Sequence, residues 1–254
     1  MNRHGSVSGL MAAGSAKKLA LMLAAAFAVE TALFYWLAIA PLRDGAYMAP
    51  WRMIRQSGIP IVCGAAYFAL CLILSLFGCE YGSRTGYTLR RLRVSSKEIL
   101  FRQCANNAAW FLIFWFTQAC VLYLLCLRYV SAAPADKVGE QTVLFSFYTD
   151  SFMHSMLPLG EYARYIRNIV VCLALGVATA CFPPRQRQGG FCVGAVLLAI
   201  VCAIFFSSPM GDAQNNLILP ICALVLSSVS AGTVFECSVE IDKPVSGGEE
   251  AATR

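Results

Sequence analysis

An all-α, polytopic membrane protein built as one transmembrane domain is the fold class the sequence predicts, and three observations predict it. Of the 254 residues, 58% are hydrophobic and only 13% are charged, against about 45–50% and about 25% in soluble domains. The apolar residues are gathered into long runs. A bilayer core of about 30 Å takes about 20 of them per helix, whereas a membrane β-barrel requires alternation. Prolines, glycines and charges fall between the runs and punctuate them. Backbone amides in hydrocarbon must pair inside their own segment, so runs of this length are helices. Six are expected, at about 19–40, 59–79, 107–127, 162–182, 191–206 and 217–235.

Residues 1–16 are small and polar and lack the charged start, short apolar core and cleavage site of a signal peptide. They read as a flexible tail. Lys17 and Lys18 directly precede the first run, which gives it a cytoplasmic start. Glu30 lies inside this run. A carboxyl group at that depth is costly and faces the bundle interior, as a path residue or as a partner for another helix. The connector 41–58 carries Pro41, Gly45, Pro50 and Gly58, and Tyr47 and Trp51 suit a membrane interface. The second run follows at once.

Residues 80–103 form the one long charged segment between apolar runs. Arg84, Arg90, Arg91, Arg93, Lys97 and Arg102 stand there against Glu80 and Glu98. Leu89, Leu92, Ile99 and Leu100 give it a partial apolar stripe, which predicts an amphipathic helix at the membrane face. Ser95 with Glu98 three residues on is a capping box, so the next helix starts before the membrane and runs into the third span. Gln118 in that span is a candidate interhelical hydrogen bonder.

The connector before the fourth span is the longest. Its second half, 142–159, is apolar but carries Asp150, His154 and Pro158, and it reads as an interfacial or re-entrant helix on the outer side. Pro183 and Pro184 are expected to stop the fourth span, with Arg185 and Arg187 in a tight turn. The sixth run contains Ser227, Ser228 and Ser230, which are candidates for path lining or for bonds between helices. A second flexible tail is expected at 240–254.

With six spans and both termini inside, thirteen Lys and Arg fall on the inner side and seven on the outer. That bias follows the positive-inside rule and absorbs the net charge of +6, so no nucleic-acid partner is implied. The first outer connector is nevertheless basic, with Arg43, Arg52 and Arg55. The twelve cysteines lie in or beside apolar runs without a CxxC pair, so they read as small hydrophobes and no metal or cofactor site is expected. There is no P-loop, zinc-protease or serine-hydrolase motif. The one pair with catalytic chemistry is Asp150 and His154, a helical turn apart, which would suit a membrane-interface enzyme.

The order F-x-x-E-Y-x-x-x-T, then L-x-x-L-x-V-S, then a polar helix entering the third span, resembles the permease subunits of type-2 ATP-binding-cassette exporters. The matching positions are Glu80, Tyr81 and Thr85, then Leu92, Val94 and Ser95. The family glycine before the threonine is Arg84 here, and its proline before V-S is Arg93. The stretch 152–159, F-x-H-S-M-L-P-L, resembles an outer segment of some bacterial members. The resemblance implies a non-enzymatic pump subunit in a bacterial plasma membrane, with a second permease copy or relative beside it. It also implies a separate ATP-binding subunit docked through Glu80, Tyr81, Arg84, Thr85, Arg90, Arg91, Arg93, Ser95 and Lys97. The rival readings are an accessory or structural membrane subunit and the interface enzyme.

Overall fold

The computed structural model describes residues 3–76, 96–139, 141–187, 189, 193–207 and 213–241. Within them the chain is all-helical, and five helices are long and apolar enough to cross a membrane. The protein is therefore of the multi-pass membrane type. The helices are α1 (Arg3–Phe34), α2 (Ala40–Arg43), α3 (Pro50–Gln56), α4 (Ile59–Leu76), α5 (Ser96–Ala132), α6 (Thr142–Thr149), α7 (Ser151–Met156), α8 (Tyr162–Arg187), α9 (Val193–Ser207) and α10 (Ala213–Ile241). The stretches that meet the length and apolarity of a span are Ser15–Arg43, Ile59–Leu76, Lys97–Ala132, Tyr162–Gln186 and Leu217–Phe235. As described, α9 has 15 residues, or about 22 Å at 1.5 Å per residue.

The prolines set most of the breaks. Pro41 cannot donate to the carbonyl one turn back, and its ring crowds that carbonyl. The helix widens just before it into a π-helical turn at Tyr35–Ile39, where the Ala40 N–H reaches back to the Tyr35 carbonyl. Ala49, before Pro50, is extended, and Pro50 opens α3. Gly58, with φ of +76°, closes that short helix and sends the chain into α4. Pro60 then sits in the first turn of α4, where no intrahelical donor is lost.

Two expectations are revised. The fourth span does not stop at 182, because α8 runs through Pro183 and Pro184 to Arg187. Proline φ is already helical, so the backbone continues, without the two N–H donors that Pro183 and Pro184 lack. The turn comes after it, where the Gly189 N–H bonds the Gln186 carbonyl at 3.0 Å. The first helix also begins at Arg3, so residues 3–16 extend α1 and are not a separate tail.

At the centre stands α8, packed against α4, α5, α9 and α10, while α1 lies against α4 and α5. Gly176 lets α8 and α5 meet backbone to backbone: a Cβ built on it would lie 2.6 Å from the Ala108 nitrogen. The short helices α2, α3 and α6 gather at one end, called here the connector end. Tyr129 near the end of α5 donates to the Met48 carbonyl at 2.7 Å, and the Tyr47 hydroxyl donates to the Lys137 carbonyl at 3.3 Å. Partial burial pushes the Tyr47 phenol above its ordinary pKa. We predict that Gly176→Ala lowers stability by about 1–3 kcal/mol through overpacking, whereas Gly232→Ala, with open space around it, is close to neutral. Thermal melts in mild detergent measure both.

Candidate functional site

Four side chains of α5 tie it to its neighbours, each at a different height. Nearest the start of the helix, Asn107 donates from Nδ2 to the Thr179 hydroxyl of α8 at 3.1 Å. Trp115 donates from Nε1 to the Met156 carbonyl of α7 at 2.9 Å. Gln118 donates from Nε2 to Glu30 Oε1 of α1 at 2.7 Å. Tyr129 completes the series at the connector end. Glu30 is fully buried and Gln118 only 4% exposed, near the middle of two long apolar helices. Two residues that the sequence marks separately are thus partners. Glu30 Oε2 is buried with no hydrogen-bond partner among the described residues.

A second cluster lies around α7. Asp150 is the hinge between α6 and α7. It is extended, and its Oδ1 accepts the backbone N–H groups of Phe152 and Met153 at 3.0 Å each. It is an N-cap for α7, and its carboxylate is used on backbone. Residues 152–156 are all buried, so α7 is sunk among α5, α8 and α9. Leu144, Phe145 and Tyr148 leave an exposed apolar face on α6. The stretch 142–159 is thus two short helices, one with an exposed apolar face and one buried.

A buried helix needs partners for its last carbonyls. Trp115 supplies one, and Asn168 Nδ2 supplies the other by donating to the Ser155 carbonyl at 2.8 Å. Asn168 Oδ1 in turn accepts from Arg167 at 2.8 and 3.1 Å. Arg167 is 1% exposed. Sequence reading counts it, with Arg164, as an outer topological charge. The spacing of Glu161, Arg164 and Asn168 on one face of the start of α8 was the available signal.

His154 does not pair with the Asp150 side chain in any described contact. Its Nε2 lies 3.2 Å from Glu161 Oε1, and Glu161 also forms an ion pair with Arg164. An ionised carboxylate only accepts, so Nε2 carries the proton there. Tyr148 lies beside the imidazole at 5.6 Å. Nδ1 is buried without a partner among the described residues. With Asp150 engaged as a cap and His154 turned to Glu161, the two do not form the pair that their spacing suggests.

Between these two clusters lies a cavity of about 270 Å³. Cys63 and Tyr67 of α4 form one wall, and Phe111, Phe114 and Trp115 of α5 form another, with Met156 at the end of α7. Tyr67 packs on Phe111 and Phe114 with ring centroids 5.9 and 6.1 Å apart. None of the nine cysteines whose side chains are described is in a disulfide. Ser227 and Ser230 are buried on α10 and donate to carbonyls of their own helix, Leu224 and Leu226, at 3.0 and 2.8 Å. Ser228 is exposed. Of the docking residues, Lys97 is exposed at the start of α5, while Glu80, Tyr81, Arg84, Thr85, Arg90, Arg91, Arg93 and Ser95 lie outside the described residues.

No protein-family model, curated protein or solved structure matches the chain.

Two outcomes follow from this geometry. Gln118→Leu removes the Glu30 partner and lowers stability, and adding Glu30→Leu restores part of the loss. Leaving one buried polar group alone costs more than replacing both, with a coupling of about 0.6–1.7 kcal/mol expected from bonds of this kind. A double-mutant cycle of melting curves measures it. Asp150→Ala removes the cap and costs about 1 kcal/mol, read from the same melts.

Proposed function

We propose that this chain is the membrane-spanning permease subunit of an ATP-driven exporter of the type-2 ATP-binding-cassette class. It forms the substrate path and docks a separate ATP-binding subunit. The chain itself is no enzyme. In this reading α9 and its flanking residues form the fifth of six spans, and both termini are cytoplasmic in a bacterial plasma membrane. A second permease copy or a relative completes the path.

One observation carries the proposal. The basic segment that would dock the ATPase leads straight into α5, which runs 37 residues without proline or glycine, or about 55 Å at 1.5 Å per residue. Such a helix is a stiff lever. It begins at the docking segment, with Lys97 exposed and Glu98 paired to Arg102 at 2.7 Å. It ends among the connectors at the far side. Through Asn107, Trp115, Gln118 and Tyr129 it holds α8, α7, α1 and the first connector. A push at its start is therefore delivered to every part of the bundle it touches, which is the two-state motion a pump requires.

Charge reversal at Arg90 and Arg91 is expected to lose the ATP-binding subunit or uncouple transport while leaving membrane insertion intact. Purification from native membranes in mild detergent, with partners identified by mass spectrometry, is the measurement. A doubly reversed variant that keeps its full complex and its transport overturns the docking role. Recovery of the unaltered chain without any ATPase selects a structural membrane subunit, for which the same interhelical bonds serve as glue.

A further inference from the structure

We infer that the cavity beside α4 is a binding site for one acyl chain of an anionic phospholipid drawn from the surrounding leaflet, with the lipid's head group held by Arg52 and Arg55 of α3. This does not depend on the pump reading.

The argument starts from the cavity's mouth. Cys63, Phe111, Phe114, Phe152, Met156 and Asn168 line it and are buried. Ile61 also lines it but is 77% exposed, and its neighbours Pro60 and Gly64 are half-buried. The opening is therefore on the flank of α4, beside a side chain that faces hydrocarbon. What reaches such an opening from the bilayer is a lipid tail. Gly64 keeps the entrance clear, because a Cβ built there meets nothing within 4 Å.

Size and chemistry agree. An apolar cavity of about 150 Å³ takes one benzene, so 270 Å³ holds roughly ten chain carbons by the same scale. Apart from Asn168, whose amide is engaged by the Ser155 carbonyl and Arg167, the walls are mostly aromatic, aliphatic and thiol side chains, which suit a methylene chain and offer little to a charged or sugar-like ligand.

The head-group end is supplied by a feature that topology leaves unexplained. The first outer connector is basic against the positive-inside trend. In the structure α3 buries Pro50, Met53 and Ile54 and exposes Arg52 and Arg55. It is an amphipathic surface helix packed against the start of α4. Arg55 precedes Pro60, at the cavity mouth, by five residues. The cations and the tail entrance are thus on consecutive elements at the same end of the bundle. A zwitterionic lipid would satisfy the cavity alone, and an anionic one satisfies both.

Trp115 lines the cavity and reports on it directly. The full chain, with Trp36, Trp51 and Trp110 replaced by Phe, is reconstituted in phosphatidylcholine vesicles. These contain, at equal mole fraction, either phosphatidylglycerol or phosphatidylcholine brominated along one chain, and quenching of Trp115 fluorescence is measured. The brominated anionic lipid is expected to quench at a lower mole fraction. Each Arg near a membrane surface is worth roughly fivefold toward an anionic head group, so Arg52→Gln with Arg55→Gln removes the preference. Gly64→Leu, whose side chain grows into open space, is expected to remove the quenching by both lipids. Equal quenching by the two lipids, a preference that survives loss of both arginines, or quenching that survives Gly64→Leu overturns the inference. The first two comparisons do not depend on the Gly64 variant folding. The assay needs no ATP-binding subunit, so its failure and that of the pump reading are told apart.

Discussion

Hydrocarbon offers no water to a polar group, and that constraint organises this bundle through α5. An unpaired amide or carboxyl in that medium costs several kcal/mol, so a polar side chain on α5 gains by finding a partner on the helix that passes it, as three of them do. Asn107 finds Thr179, Trp115 finds the Met156 carbonyl, and Gln118 finds Glu30. These bonds act as register marks. Apolar surfaces slide past one another at little cost in lipid, because the lipid tail is as good a neighbour as another side chain. A bond that has only one partner at one height does not slide. The neighbours of α5 are therefore fixed along its length as well as beside it.

Packing fills in what the bonds fix. Gly176 brings α8 onto the Ala108 backbone of α5, within one turn of where Asn107 reaches Thr179. The close approach and the hydrogen bond support each other, since a small-residue contact shortens the distance that the amide has to span. Farther out, α1 and α10 carry rows of exposed apolar side chains, among them Leu21 and Val29 on one helix and Leu217 and Val229 on the other. In a bilayer such faces are ordinary lipid contacts, and they explain why composition alone already announces a membrane protein.

The fold class was legible because apolar length is a property of one segment at a time. Lys17 and Lys18 before a long run, and Pro60 or Pro50 at the head of a helix, need nothing from the rest of the chain. Glu30 and Gln118 were visible as anomalies for the same reason. That they face each other was not, because 88 residues separate them and no local pattern encodes the meeting. Arg167 shows the opposite failure. Beside an apolar run its charge reads as a surface marker, yet it is buried against Asn168, whose amide is committed to the Ser155 carbonyl. Asp150 and His154 were one turn apart and invited a catalytic reading. The backbone needed Asp150 to start α7, and local spacing did not reveal that the chain breaks there.

That break has a mechanical consequence. Like any helix, α7 cannot satisfy its own last carbonyls, and it borrows one donor from α5 and one from α8. Asn107 already joins those two helices directly. The three elements form a closed triangle of bonds, and moving one member relative to another breaks at least one bond in a dry environment. The triangle moves as a unit. Against it lies α4, which meets α5 through the rings of Tyr67, Phe111 and Phe114, contacts that tolerate small displacements better than a buried hydrogen bond does. The cavity lies in this seam. A space at the boundary between a locked unit and a neighbour held by rings is where a bundle of this kind can change volume without exposing backbone, so a tail seated there would act on a contact surface that tolerates displacement.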